Sequence, residues 1–262
     1  MVTVPRIIDI HTHPVFFEDH YSVEQIDELV RYSRKLGIEK MVSLGDVLRF
    51  GPAPTNKHLK IINDESQALV LRHPDFFIGF CYLNPLLGEK AVRTEVDRCV
   101  GGLGFKGIKL EVANNAAHPA MKAVMKVAED YNVPVLQHTW STRHTRLRLA
   151  HSDSIDTCAL ARRHPNTRVI MAHLPAIGHR GVLEAVGIDN LVLDTSACLP
   201  FAGLIEFAWE KLGADRLLYG SDMPIRELSA CIARVTSAPI PESAIKRILF
   251  NNAARELGLS ES

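Results

Sequence analysis

The sequence predicts an α/β fold, a single (β/α)8 TIM barrel spanning residues 1–262. Three observations predict it. Short apolar, β-branched runs alternate with helical patterns at a spacing of roughly 30 residues, which implies parallel strands joined by right-handed crossovers. Eight such units in 262 residues match the length of one α/β barrel. The first strand runs into His11-Thr12-His13-Pro14, where a doubly wound sheet would carry a glycine-rich phosphate loop.

The elements follow in order. Arg6-Ile7-Ile8-Asp9-Ile10 reads as the first strand, and Pro14 ends it because proline cannot continue a central ladder. Strand side chains alternate faces, so His11 and His13 are expected to point the same way, with Asp9 below them. Beyond a loop with Phe16 and Phe17, Ser22-Val23-Glu24-Gln25 has the form of a capping box and opens a helix over 22–35, stopped by Gly37. Residues 40–45 form the second strand. Gly51, Pro52 and Pro54 mark a loop over 47–55. A helix over 59–72 leads to the third strand, 76–83, and a helix over 89–100 is broken by Gly101-Gly102. The fourth strand is 105–110, followed by a helix over 119–131. The fifth is 133–138, followed after a polar loop by a helix over 154–163. The sixth is 167–173, with a helix from near His179. The seventh is 191–196, and Pro200 opens the next helix, at a first-turn position where proline is tolerated. The eighth is 216–221, and helical stretches from Pro224 and Pro241 close the chain.

Composition narrows the function. At 47% hydrophobic and 23% charged residues, the chain is ordinary globular protein. Its formal net charge is zero, so it lacks the basic footprint of a nucleic-acid or anionic-membrane binder. No apolar run approaches the roughly 20 residues of a bilayer span. Val-Thr-Val-Pro-Arg after Met1 does not resemble a signal peptide. The five cysteines are scattered, without a CxxC, so neither a disulfide framework nor a cysteine zinc site is indicated. A reduced, cytoplasmic setting, a small-molecule partner and neither nucleic acid nor membrane are therefore expected; a homo-oligomer is left open.

In a barrel, active-site side chains come from the C-terminal ends of different strands. Those ends carry His11 and His13, then Lys109 and Glu111, His138, His173, Asp194 with Ser196, and Asp222 within Ser221-Asp222-Met223-Pro224. Three neutral imidazoles leave a bound divalent metal an open position for water. Such an ion lowers the pKa of that water toward about 7 and polarises a carbonyl. Asp222 can ligate the metal or exchange a proton with the water, and His173 can orient the water or hydrogen-bond a developing oxyanion.

The ordered set His11, His13, His138, His173 and Asp222 resembles the amidohydrolase superfamily. Finer details are similar to its "amidohydrolase 2" branch of metal-dependent hydrolases and decarboxylases: Asn63, Leu83-Asn84-Pro85, Gly107-Ile108-Lys109-Leu110, Tyr219-Gly220-Ser221-Asp222-Met223-Pro224 and Asn251-Asn252-Ala253. The resemblance implies one divalent ion, zinc being the expected one, held by His11, His13, His138 and Asp222, with His173 and Asp222 catalytic. Dinuclear branches bridge a second metal through a carboxylated lysine or a glutamate, a role open to Lys109 or Glu111; the favoured reading of Lys109 is a substrate-facing or salt-bridged amine.

Arginine forks suit carboxylates and phosphates. Arg226 lies just beyond the metal site, and Arg143, His144, Arg146, Arg148 and His151 follow His138. Phe16, Phe17, Phe50 and Trp140 either wall the site or pack loops onto the barrel. The leading expectation is hydrolysis of a small amide, lactone or related ester by metal-activated water. The alternative is non-oxidative decarboxylation of a small carboxylic acid. A TatD-like phosphoesterase ranks lower, because the chain is neutral and lacks a Gly-Glu signature on the fourth strand.

Overall fold

Strands covered by helices on one side and by other strands on the other are apolar along their whole length. β1 (Ile7–Thr12) has all six residues buried but departs from that pattern at Asp9, His11 and Thr12, which are polar. The computed structural model describes residues 5–15, 22–111, 114–141, 152–197 and 202–260. Phe16, Phe17, the basic residues over 143–151 and Pro200 lie outside them. After β1 come α1 (Val23–Lys35), β2 (Ile38–Ser43), α2 (Asn56–Arg72), β3 (Phe77–Gly79), β4 (Cys81–Tyr82) and α3 (Glu89–Val96). Then follow β5 (Ile108–Leu110), α4 (Met121–Tyr131), β6 (Val135–Gln137), α5 (Ser154–Arg163), β7 (Val169–Met171) and α6 (Leu174–Ala185). The chain continues with β8 (Leu191–Asp194), α7 (Leu204–Leu212), β9 (Leu217–Leu218), α8 (Leu228–Thr236), α9 (Glu242–Lys246) and α10 (Asn252–Glu256).

All strand pairs are parallel: β1-β2-β3 in one run and β4 through β9 in the other. The expected third strand is divided at Phe80. Phe80 N donates to Ser43 O at 3.1 Å, whereas Cys81 N donates to Gly107 O at 2.8 Å, so one bent strand changes partner from β2 to β5. On the other side, Ile10 N donates to Tyr219 O at 3.0 Å, Asp222 N to His11 O at 2.8 Å and His13 N to Met223 O at 2.8 Å. These bonds join both seams, and eight strands close into the expected (β/α)8 barrel.

Alternation along the strands separates two cores. Ile7, Met41, Val135, Val169, Leu191 and Leu217 pack with the helices in one cluster. Their neighbours Ile8, Val42, Leu136, Ile170, Val192 and Leu218 form the barrel interior with Ile10 and Phe80, and Phe250 and Ala253 join them.

Capping explains where helices depart from the expected bounds. α2 begins at Asn56, before residue 59, because Thr55 and His58 form a reciprocal cap. α8 begins at Leu228, after Pro224, because the Glu227 side chain accepts from Ala230 N at 2.8 Å. α6 begins directly after His173 but is interrupted at Gly178, where φ is 61°; only its second half has the pattern read from His179. Among the described residues, no helix is long and apolar enough to cross a membrane.

Asn63 fastens α2 to the bent strand. Its Oδ1 accepts from Tyr82 N at 2.8 Å, and its Nδ2 donates to Tyr82 O at 3.1 Å and Glu95 Oε1 at 2.8 Å. Asn63→Leu leaves both backbone groups of Tyr82 without that partner, at about 1–3 kcal/mol for each stranded group. The expected result is a urea midpoint lowered by at least about 2 kcal/mol of stability; a midpoint unchanged from wild type would refute it.

Candidate active site

The site starts from an irregularity in β1. Ile8 and Ile10 face the interior, so strict alternation would send Asp9 and His11 the other way. The register against β2 shifts between Asp9 and Thr12, and a bulge of this kind re-aims a side chain. His11 thereby lies beside the end of β9: a Cβ placed on Gly220 would sit 2.9 Å from His11 Cβ, closer than real side chains approach. Asp9 does not share the histidines' surroundings as expected. Its Oδ1 accepts from His11 N at 3.2 Å and Ser221 N at 3.0 Å, tying the ends of β1 and β9 together.

The hydrogen bonds fix both imidazoles. His13 Nδ1 lies 2.7 Å from Gly45 O, and a carbonyl only accepts, so Nδ1 carries the proton and Nε2 a lone pair. Gly45 can present that carbonyl because its φ is 72°, which a side chain would strain. His11 Nδ1 lies 2.8 Å from Asp194 Oδ2, which likewise leaves Nε2 as the lone-pair nitrogen. His11 Nε2 is buried and has no hydrogen-bond partner among the described residues. It lies 3.7 Å from Asp222 Oδ1, and His13 Nε2 lies 3.9 Å from the same oxygen.

Burial sets the protonation of these groups. It holds His11 well below the ordinary histidine range and His13 at about 4, and the nearby Lys109 charge adds to both effects. Burial also raises the Asp222 carboxyl to about 7, against the opposing pull of Lys109. Two neutral imidazoles and a carboxyl, with ligand atoms within 4.8 Å of one another, make a donor set that fits a divalent transition-metal ion.

Asp194 and Ser196 stand at the end of the seventh strand, and here the structure gives them a role. Asp194 Oδ1 accepts from His173 N and Ser196 N, each at 3.0 Å, and also from Ser196 Oγ. With its own proton on Asp194, Ser196 Oγ accepts from His173 Nδ1 at 2.8 Å. His173 Nε2 then faces His138 Nδ1 at 3.2 Å as an acceptor. His138 Nδ1 also lies 3.2 Å from Glu111 Oε1, and Glu111 Oε2 lies 3.3 Å from Lys109 Nζ. Trp140 flanks the group, its ring centroid 5.7 Å from that of His173.

The structure therefore gathers His11, His13 and Asp222 most closely. His173 stands beside His11, with ring centroids 4.8 Å apart, and His138, Glu111 and Lys109 extend the cluster. Arg226 is half-buried in the loop after Asp222, where its Nη1 donates to Ile225 O at 2.7 Å. Phe50 stacks on His58, 4.2 Å between centroids, and so packs α2. His173 and Asp222 have left-handed backbones, φ 70° and 68°. Such strain costs a side-chain-bearing residue about 1–3 kcal/mol and persists where the surroundings impose it. Here His173 N is held by Asp194, and Asp222 N by the His11 carbonyl. A cavity of about 600 Å³ lies at the opposite end of the barrel, among Lys106, Pro134, Thr167 and Asn190. No comparable cluster of histidines and carboxyls converges there among the described residues.

The amidohydrolase family model (Amidohydro_2) matches residues 8–259, so the chain belongs to that family and is an enzyme. Comparison with curated proteins returned no match. Among solved structures, the chain is similar to 2,6-dihydroxybenzoate decarboxylase from Rhizobium, with TM-score 0.78 and 17% identity over 97% of this chain and 99% of that one. It is also similar to dihydroxybenzoic acid decarboxylase from Polaromonas, solved with manganese and 2-nitroresorcinol (TM-score 0.77, 17% identity, 98% of each chain). A third is 4-oxalomesaconate hydratase from Rhodopseudomonas palustris (TM-score 0.73, 16% identity, 96% of this chain and 95% of that one).

Proposed function

We propose that this protein is a metal-dependent, non-oxidative decarboxylase of a small carboxylic acid. The observation that supports this best is Asp222. It is 6% exposed, and in the metal-free site burial raises its carboxyl to about 7, so it holds a proton more readily than an ordinary aspartate, with a bound ion pulling the other way. Its buried neighbours His11 and His13 are neutral. Releasing CO2 requires a proton donor to the carbon left behind, whereas hydrolysis by activated water requires a base. Likeness over the full chain to two decarboxylases supports the same ranking over hydrolysis, the first expectation from sequence.

His11, His13 and Asp222 would hold the ion, with His138 as the fourth ligand; zinc and manganese both suit this nitrogen and oxygen set. When bound, the ion supplies positive charge that offsets an anionic substrate and stabilises negative charge growing on its oxygens. Asp222 gives its proton to the carbon that bears the carboxylate. The C–C bond breaks, its electron pair returns to the substrate framework, and CO2 leaves. Asp222 is left as carboxylate and regains a proton from solvent. Neutral His173, held through Nδ1 by Ser196, offers Nε2 to a substrate donor when the His138 Nδ1 proton goes instead to Glu111 Oε1.

Hydroxybenzoates, lactones and amides, offered to protein loaded with manganese or zinc, are the test. Release of CO2 from an acid, with one solvent deuterium entering at the vacated carbon in D2O, is expected. Ring opening of a lactone with no CO2 from any acid would overturn the proposal in favour of hydrolysis.

A further inference from the structure

Lys109 is a completely buried charge with unspent donors among the described residues. It sits in the middle of β5, paired with Tyr82 on one side and Leu136 on the other. Its residue position shares a register row with Leu136, which faces the barrel interior. An ammonium brings three donors, yet Lys109 Nζ makes no hydrogen bond among the described residues. Its ion partner is Glu111, with Oε2 at 3.3 Å, and the other oxygen of that carboxylate is engaged by His138 Nδ1. A buried charge with unspent donors is costly unless something else completes its shell. The Lys109 charge also bears on His11, His13, His173 and Asp222, so whatever completes that shell lies against the candidate metal site.

We propose that Lys109 is the anchor for the substrate's carboxylate, so that the site selects small carboxylic acids over their neutral amides. The substrate class rests on the decarboxylase reading; the choice of residue rests on the geometry. A second role, as a carbamate bridging two metals, would put a new negative group against Glu111 at 3.3 Å. Arg226 is the second candidate: its Nη1 donates to Ile225 O and its Nε has no partner among the described residues, but it is only half-buried and lies in the loop after Asp222 rather than on a barrel strand. The carboxylate leaves as neutral CO2, so its ion pair with Lys109 belongs to the ground state. Removing the charge should therefore raise KM much more than it lowers kcat.

The experiment is calorimetric. Benzoate and salicylate, and their neutral counterparts benzamide and salicylamide, are titrated into metal-loaded wild type, Lys109→Met and the doubly neutral Lys109→Met/Glu111→Gln. The double variant removes both charges, so no carboxylate is left buried without its partner. Wild type should prefer the acids. Both variants should bind the acids about 10- to 100-fold more weakly, the worth of a charge-assisted hydrogen bond, bind the amides within about two-fold of wild type, and keep their metal by elemental analysis. Equal binding of acids and amides by wild type, unchanged acid binding by either folded variant, loss of metal from the variants, or a ¹³C-bicarbonate-derived carbamate on the native protein would each overturn the proposal. Selective acid binding without CO2 release from any acid would leave the anchor standing and remove the decarboxylase reading.

Discussion

Asp222→Asn, saturated with metal, is expected to fold as wild type does and to lose about 10²- to 10⁴-fold in kcat, the worth of a positioned acid–base group. Folding should survive because asparagine has the same shape and tolerates the left-handed backbone, φ 68°, at this position. Catalysis should not, because an amide cannot exchange the proton. The pH profile adds the sign. As a donor, Asp222 works in its protonated form, so the wild-type rate should fall as pH rises through its pKa, which burial places at about 7. A bound cation draws that limb toward lower pH without reversing it. As the base of a hydrolysis it would give the opposite limb, with the rate falling toward acid. Kinetics of the metal-saturated variant across pH 5–9 check both points. Near wild-type turnover would take the proton away from Asp222.

His11→Ala/His13→Ala should reduce bound metal from about one equivalent to near zero and turnover to background. The two lone-pair nitrogens, Nε2 of each ring, are aimed by Asp194 and Gly45 at one place beside Asp222, and alanine offers no substitute ligand. Elemental analysis after dialysis against excess zinc or manganese measures the loss. Chelation should lower the melting temperature of wild type but leave the double variant unmoved, because an ion that binds only the native state stabilises it by mass action. Full occupancy in the double variant would remove His11 and His13 from the site.

The alternation of apolar strands and amphipathic helices was enough to read the barrel from the sequence, because that signal is local: a few consecutive residues carry the period of each element. Placing chemistry at strand ends then followed from the fold, and His11, His13, His138, His173 and Asp222 all stand near that mouth. Local patterns failed where packing decided. The division of the third strand at Phe80 depends on which neighbour each amide meets, and the late reading of α6 depends on one left-handed glycine.

The sequence by itself determined the fold class, the parallel order of the strands and the short list of histidines and carboxyls. Only the tertiary structure decided how they are wired. Asp194 aims His11 across 183 residues of chain, a bulge re-aims His11 toward β9, and a glycine carbonyl fixes the tautomer of His13. The raised carboxyl of Asp222 and the unspent donors of Lys109 likewise come from burial by distant strands. Periodicity reports which face a residue is on. Closing the ring sets which distant partner it meets there and how little water reaches it, and these fix charge, tautomer and reactivity.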